Sequence, residues 1–470
     1  MRTKLSMLFV VLLGLTVVLG ACSAKNNTGK ETASAADVQN KSNAPKDAKT
    51  KEIIKISVGE DDYGARMSNY AAAFKALNEE LTAQGKNVEV VADILPAVGD
   101  DELVLQAQAG QYRDISMNSS LDIGWELDAG LIQPIDWLKE SEVFKTLPQN
   151  LWDIMEYQGH VYGAIQDMDA SPLYINKTAL KTLGWSDADI EGLPDRVLKG
   201  DWTMEDMLNI ATEAVEKKVT KYGLVSDGLD NISVQDINNQ MMGFEPYDLE
   251  QSKVIFDKKG ITDTYSFWEK GIKSGAITKD FAALEDVGFG YFVNGDVMFF
   301  IGGTGSYNSM KEAYGKTDKE FEDWFYANST FTLIPAGSKG GEPGSLANPR
   351  LYYVSSKVDE QKMPYVQRII ELAMAPNLQM DHTIASGKLP VTKSGQEDPR
   401  FSDLRFLHDV AYMLDYTKVR PPHLAYPDYL KQQIKGLEAI MVNGASAAEA
   451  YKLFEENYKQ NVDQDQVIFR

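Results

Sequence analysis

Two carboxylates, Asp167 and Asp169, stand in the polar break of a stretch that runs from Gly159 to Lys177, Gly-His-Val-Tyr-Gly-Ala-Ile-Gln-Asp-Met-Asp-Ala-Ser-Pro-Leu-Tyr-Ile-Asn-Lys. Ionised carboxylates are strong acceptors for hydroxyl and amine donors. The two glycines and the proline around them mark a chain that turns between extended runs. Such a pattern describes either a surface hairpin or a hinge between two bodies, and the residues alone allow both. A second acidic group, Asp61-Asp62-Tyr63, follows the alternating run Ile54, Ile56, Val58 and so lies in a loop where a strand ends. Reaction chemistry finds less support. Gly315-Lys316-Thr317 has the tail of a phosphate loop, but Met310 stands where its first glycine is required. His160, His382, His408 and His423 show neither His-Glu-x-x-His nor a Cys-His metal spacing, and no Gly-x-Ser-x-Gly elbow or calcium loop occurs. No metal and no cofactor are expected. A carboxylate pair for glycoside hydrolysis stays open, because an acidic chain offers many pairs and their separations are not written in the sequence.

The elements that must position these groups can be read from periodicity. Met67, Tyr70, Ala71, Phe74, Leu77 and Leu81 recur at helical spacing up to Gly85. A strand over Val88 to Ile94, a helix over about Asp101 to Gly110 and a short strand at Asp114 to Met117 then complete a β-α-β-α-β run. Such a run predicts a mostly parallel sheet whose ligands gather at the carboxyl ends of the strands. Asp62, Tyr63, Asn118 and Ser119 fall at such ends, although Asn118-Ser119-Ser120 also reads as a helix cap before Leu121. Trp125, Trp137 and Trp152 lie in apolar stretches and read as core. Further on, helices are predicted from Asn176, from Thr203 with Asp206 completing a capping box, and over Met363 to Ala375. Asn238, Asn239 and Gln240 read as a solvated helix face before any ligand contact. Asn294 to Gly303 reads as a turn and an apolar strand ending in glycines, where backbone can approach a ligand closely.

At the start of the chain, Arg2 and Lys4 precede an apolar run from Leu8 to Leu19 that ends in Leu19-Gly20-Ala21-Cys22, and Cys22 is the only cysteine. This is the pattern of a lipoprotein signal, residues 1–22, with a lipid on Cys22 that would hold the protein at a membrane surface. Residues 23–52 lack large apolar side chains and read as a flexible tether. The remainder is long for one domain, so two lobes are expected. A net charge of −22 argues against nucleic acid, which is held by clustered Lys and Arg, and against adhesion to anionic lipid.

Gly159-His-Val-Tyr-Gly followed by Leu173-Tyr-Ile-Asn-Lys resembles the central signature of the extracellular solute-binding proteins that serve carbohydrate ABC importers, relatives of maltose-binding protein. Asp114-Ile115 with Gly130-Leu-Ile-Gln-Pro-Ile, Asn294-Gly-Asp-Val-Met, Thr332-Leu-Ile-Pro-Ala-Gly, Arg350-Leu-Tyr-Tyr-Val, Gly387-Lys-Leu-Pro and Gly444-Ala-Ser-Ala-Ala-Glu-Ala match further segments of that family. The chain departs from it at Ala164-Ile165, where relatives place proline, and at Thr304-Gly305-Ser306-Tyr307, where they often place tryptophan. The resemblance implies an α/β, two-lobed, type II periplasmic-binding-protein-like fold. Each lobe would be a mixed, mostly parallel sheet flanked by helices, with hinge crossings at Asp167, Gly303 and Arg350. Lobe 1 is expected over 53–166 plus 304–352, and lobe 2 over 167–303 plus 353–470. It implies a monomer that binds a carbohydrate outside the cytoplasm without altering it and passes it to ABC permease subunits. Asp61, Asp62, Asp167 and Asp169 would accept from hydroxyls, Arg350 would donate, and Tyr63 and Tyr307 would offer aromatic faces. Asn118, Ser119, Gly303, Thr304, Tyr352 and Tyr426 complete the expected contacts. The competing readings are a peptide or an anionic uronate on the same fold, and a surface glycoside hydrolase.

Overall fold

The computed structural model describes residues 51–60, 64–226, 242–243, 246–248, 251–279, 288–346, 349–418, 422–462 and 464–470. Cys22, Asp61, Asp62, Tyr63 and the amides Asn238 to Gln240 lie outside the described residues. In chain order the elements that matter here are β1 (Glu52–Gly59), α1 (Gly64–Ala83), β2 (Val88–Leu95), β3 (Ile115–Ser119), α2 (Ile123–Asp128), β4 (Gly163–Asp167), β5 (Leu173–Asn176), α3 (Met204–Glu216), β6 (Tyr222–Ser226) and α4 (Lys258–Lys273). They continue with β7 (Val297–Ile301), α5 (Gly305–Tyr314), α6 (Asp318–Asn328), β8 (Ser329–Thr332), β9 (Arg350–Val354), α7 (Met363–Ala373), α8 (Pro376–Ser386), α9 (Arg405–Val410), α10 (Tyr426–Asn443) and α11 (Ala447–Asn461).

Local signals place several of these as expected. Gly85 leaves the end of α1 with φ 70°, a conformation that a Cβ disfavours. Thr203 caps α3 by accepting from the Asp206 amide at 3.3 Å, and Asp206 accepts from the Thr203 amide at 2.9 Å.

Two mixed sheets organise the fold. The first has the order β2-β1-β3-β9-β4 and the second β8-β5-β7-β6. β1 pairs in parallel with β2 and β3, whereas β9 runs antiparallel to β3 and β4. In the second sheet β6 is parallel to β7, and β5 is antiparallel to both β7 and β8. Each sheet therefore has a single reversed strand, and each reversed strand is where the chain arrives from the other sheet. The reason is geometric: a parallel neighbour needs a long crossover, while a strand entering from the end where the others stop must run against them.

The first passage, Met168–Pro172, joins β4 to β5. The second lies between β8 and β9. A third follows α8, because α8 packs on α1 beside the first sheet whereas Phe406 of α9 stacks on Tyr174 of β5 at 6.1 Å. The first passage is tied to the other two and to the start of α5. The Thr304 amide donates to Ala170 at 2.9 Å, the Leu389 amide to Met168 at 2.9 Å, and the Ser171 amide to Ser345 Oγ at 2.8 Å.

This arrangement corrects the reading of Gly302-Gly303 as a crossing. After β7 the chain stays with the second sheet, since Tyr307 of α5 lies against Phe325 of α6 at 5.0 Å and Phe406 at 4.1 Å. Sheet membership also differs from the expected division. β8, inside 304–352, belongs to the second sheet, and β9 with helices α7 and α8 continues the first. Apolar periodicity cannot show which of two similar sheets a short strand joins.

Candidate ligand-binding site

The register brings the strand ends of interest together. Arg350 pairs with Ser119 on one side and with Asp167 on the other, at the edge of the first sheet where β3 and β4 end. The facing edge of the second sheet is formed by Leu173, Ser226, Ile301 and Thr332, which share one register line. Ligands of open α/β sheets bind outside such carboxyl edges.

Asp167 is buried and fully engaged. Arg66 of α1 donates to both its oxygens, Nε at 2.9 Å and Nη2 at 3.1 Å, and His382 of α8 lies with Nε2 at 2.9 Å. Burial alone would raise its pKa, but the bonds from His382 and Arg66 hold it well below the usual carboxylate range. Asp169 accepts from Thr304 Oγ1 at 2.6 Å and from Lys388 Nζ. Burial works against the charge on Lys388, yet Asp169 raises its pKa overall. These two acids therefore tie the passages to their surroundings, joining α1, α5 and α8. They were read as exposed acceptors because sequence shows neither Arg66 nor His382 nor Lys388 as their partners, which lie up to 219 residues away.

Tyr352 and Tyr426 are also removed from the expected contacts, since both are wholly buried. Tyr352 Oη receives a bond from Gln166 Nε2 at 2.5 Å and donates to Asn69, inside the core beneath the first sheet. Tyr426 stacks on Tyr429 with ring centroids 5.6 Å apart. Tyr307 has one ring face covered by Phe406, and it lines a cavity of about 530 Å³ with Thr304, Glu322 and Arg405. Gly303 offers its carbonyl to Tyr174 Oη at 3.0 Å.

What stays at the first edge is a compact polar group. Arg350 is half-buried, and its guanidinium has no hydrogen bond or ion pair among the described residues, with Asp122 as a nearby charge. Ser119 caps the turn that follows and exchanges bonds with Asp122, whose carboxylate accepts from the Ser119 amide at 3.0 Å. The capping reading of this segment thus holds, and it leaves Asp122 fixed at the edge. Trp125 Nε1 donates to Asp122 Oδ1 at 2.9 Å, so this half-exposed indole belongs to the same group and is not simply core. Asn118 donates to Glu126, which is buried, and burial pushes that carboxyl up to about 8. A carboxyl raised this far by burial is mostly neutral at pH 7. Sequence reasoning missed Trp125 and Glu126. The i to i+3 spacing from Asp122 to Trp125 is the one signal that could have found the indole.

The arrangement can hydrogen-bond a solute from one guanidinium, one amide and one carboxylate. Among the described residues it has no cluster able to hold a metal ion.

Comparison with known proteins agrees with this architecture. Residues 69–405 match the model of the bacterial extracellular solute-binding protein family, and the chain belongs to that family. Among solved structures it is similar to maltose-bound MalE3 of T. maritima, at 15% identity over 87% of this chain and 100% of that one, with a TM-score of 0.65. The sugar-binding protein MalE of the phytopathogen Xanthomonas citri gives 15% identity, coverage of 86% and 96%, and a TM-score of 0.71. A solute-binding protein of Thermotoga lettingae bound with α-D-tagatose gives 17% identity, coverage of 87% and 99%, and a TM-score of 0.63. At these identities the likeness shows a shared two-lobed fold. No curated protein matches at a significant level.

Proposed function

We propose that the protein is an extracytoplasmic receptor, anchored by a lipid on Cys22, that captures a sugar or oligosaccharide and delivers it to an ABC permease without changing it. Family membership supports the receptor role, and the maltose and α-D-tagatose bound by the structural neighbours support the substrate class. The observation that carries the reading is Arg350, a cation with no partner among the described residues, which lies between Ser119 and Asp167 at the edge of the first sheet with Asp122 as a nearby charge. One lobe would comprise the first sheet with α1, α7 and α8, and the other the second sheet with α3 to α6. A solute touching both would favour closure through its differential affinity for the closed state.

A thermal-shift screen of neutral mono- and oligosaccharides tests this. Ligand-dependent stabilisation without product supports it, and release of hydrolysed sugar would replace it with a glycosidase. A guanidinium with no partner among the described residues specifically favours one further reading, a uronate whose carboxylate sits on Arg350. Tighter binding of galacturonate than galactose, lost in Arg350→Ala, would select that reading. A dipeptide panel in the same screen covers the peptide alternative.

A further inference from the structure

The described chain contains a second cavity, of about 660 Å³, lined by none of the residues of the sheet-edge group around Arg350. Its size falls within the roughly 300–1,000 Å³ of small-molecule sites. α2 presents Gly124, Leu127 and Asp128 to it. At 3.6 residues per turn that face lies roughly a third to a half of a turn around the helix from Trp125 and Asp122. The cavity therefore does not share the sheet-edge group around Arg350.

Its back wall is aromatic and fixed. His423 is buried, and its Nδ1 accepts from the Ala425 amide at 3.0 Å, so the proton of the neutral ring is on Nε2. Burial lowers the pKa of this imidazole, which favours that neutral form. Its ring lies 6.4 Å from Tyr157, in the hairpin of Glu156–Tyr157 with His160–Val161, and 5.8 Å from Tyr247, which pairs with Val254 in a separate small sheet. The hairpin turn brings Gln158 to the cavity with φ 51°, a left-handed backbone that costs a non-glycine residue on the order of 1 kcal/mol or more. Asn461 and Gln466 add two more amides, and Asp128 and Asp428 add carboxylates. No Lys or Arg is among the lining residues.

Amides that donate and accept, carboxylates that accept, and an aromatic face match a neutral polyhydroxylated ring. Hydroxyls satisfy the polar groups and the C–H face lies on the aromatic wall. The two carboxylates disfavour anions. We propose that this cavity is a second ligand site, for a neutral oligosaccharide, separate from the edge around Arg350. Tyr157 and Asp128 come with the first sheet, whereas Asp428 comes with α10, which packs on α4. A ligand here would bridge the two and favour the arrangement in which Gly124 meets the Pro422–Leu424 backbone.

Titration calorimetry on the full chain tests the proposal, with maltotriose, cellotriose and xylotriose as probes and spermidine as the cationic competitor. At least one trisaccharide is expected to show a binding component that weakens tenfold or more in Tyr157→Ala and in Asp128→Lys, whereas Arg350→Ala weakens only a component bound at the sheet edge. Asp128 is exposed, so the Asp128→Lys arm is insulated from a folding defect caused by Tyr157→Ala. That pattern supports the cavity even if the sheet edge binds nothing, so failure of the function proposed above remains distinguishable. The proposal is overturned if no trisaccharide binds, if only spermidine does, or if binding ignores both cavity variants. It is also overturned if one single-site isotherm weakens in all three variants, because the cavity would then belong to the sheet-edge site.

Discussion

Asp167 and Arg350 are partners in one register line of the first sheet, yet they serve opposite ends. Asp167 is enclosed by Arg66 and His382 and has no acceptor capacity facing solvent. Arg350, on the neighbouring strand and half-buried, has no partner among the described residues. A buried charge survives in a protein only when its neighbours compensate it, so it becomes structural. A charge at a wet edge can remain unpaired at little cost and is available for recognition. Burial, and not residue type, separates the two roles.

The comparison breaks first at Arg66. Arg66→Met should destabilise by about 3–5 kcal/mol in urea unfolding, because it leaves Asp167 charged in the core with only His382. A loss below about 1 kcal/mol would mean that Asp167 is solvated and belongs with Arg350 after all.

Glu126 offers the next contrast, since its carboxyl is raised where that of Asp167 is depressed. A raised carboxyl contributes stability fully below its unfolded pKa and loses it as pH rises through the folded value of about 8. Glu126→Gln should therefore flatten the decline in stability between about pH 4.5 and 8 and gain a few kcal/mol at pH 9. Thermal unfolding across that range checks it.

Asp167 has the opposite sign. Its contribution is complete above the unfolded carboxylate pKa near 4 and is lost as pH falls toward the depressed folded value. Wild type should lose stability steeply below about pH 4, and Asp167→Asn, less stable at pH 7, should lose less of it on acidification. Parallel acid titrations of the two proteins by circular dichroism would reveal whether their slopes differ.

The smallest effect on folding is expected at Arg350. Arg350→Ala should change stability by no more than about 0.5 kcal/mol while weakening the ligand found in the screen at least tenfold. Equal loss of stability and affinity would show Arg350 to be a structural cation like Arg66.

Much of this molecule is legible in its sequence alone. The 3.6-residue recurrence from Met67 to Leu81 marked α1, the Thr203/Asp206 pair marked the start of α3, and the alternating run Ile54, Ile56, Val58 marked β1, because each depends on residues near one another in the chain. The family signature from Gly159 to Lys177 located the first passage between sheets for the same reason. Tertiary structure decided the rest. Asp167 meets Arg66 across 101 residues and His382 across 215, Asp169 meets Lys388, and β8 joins β5 instead of the first sheet. Charge pairing and strand partnership depend on which distant segments share space, and a linear pattern of residue types carries no distance between them.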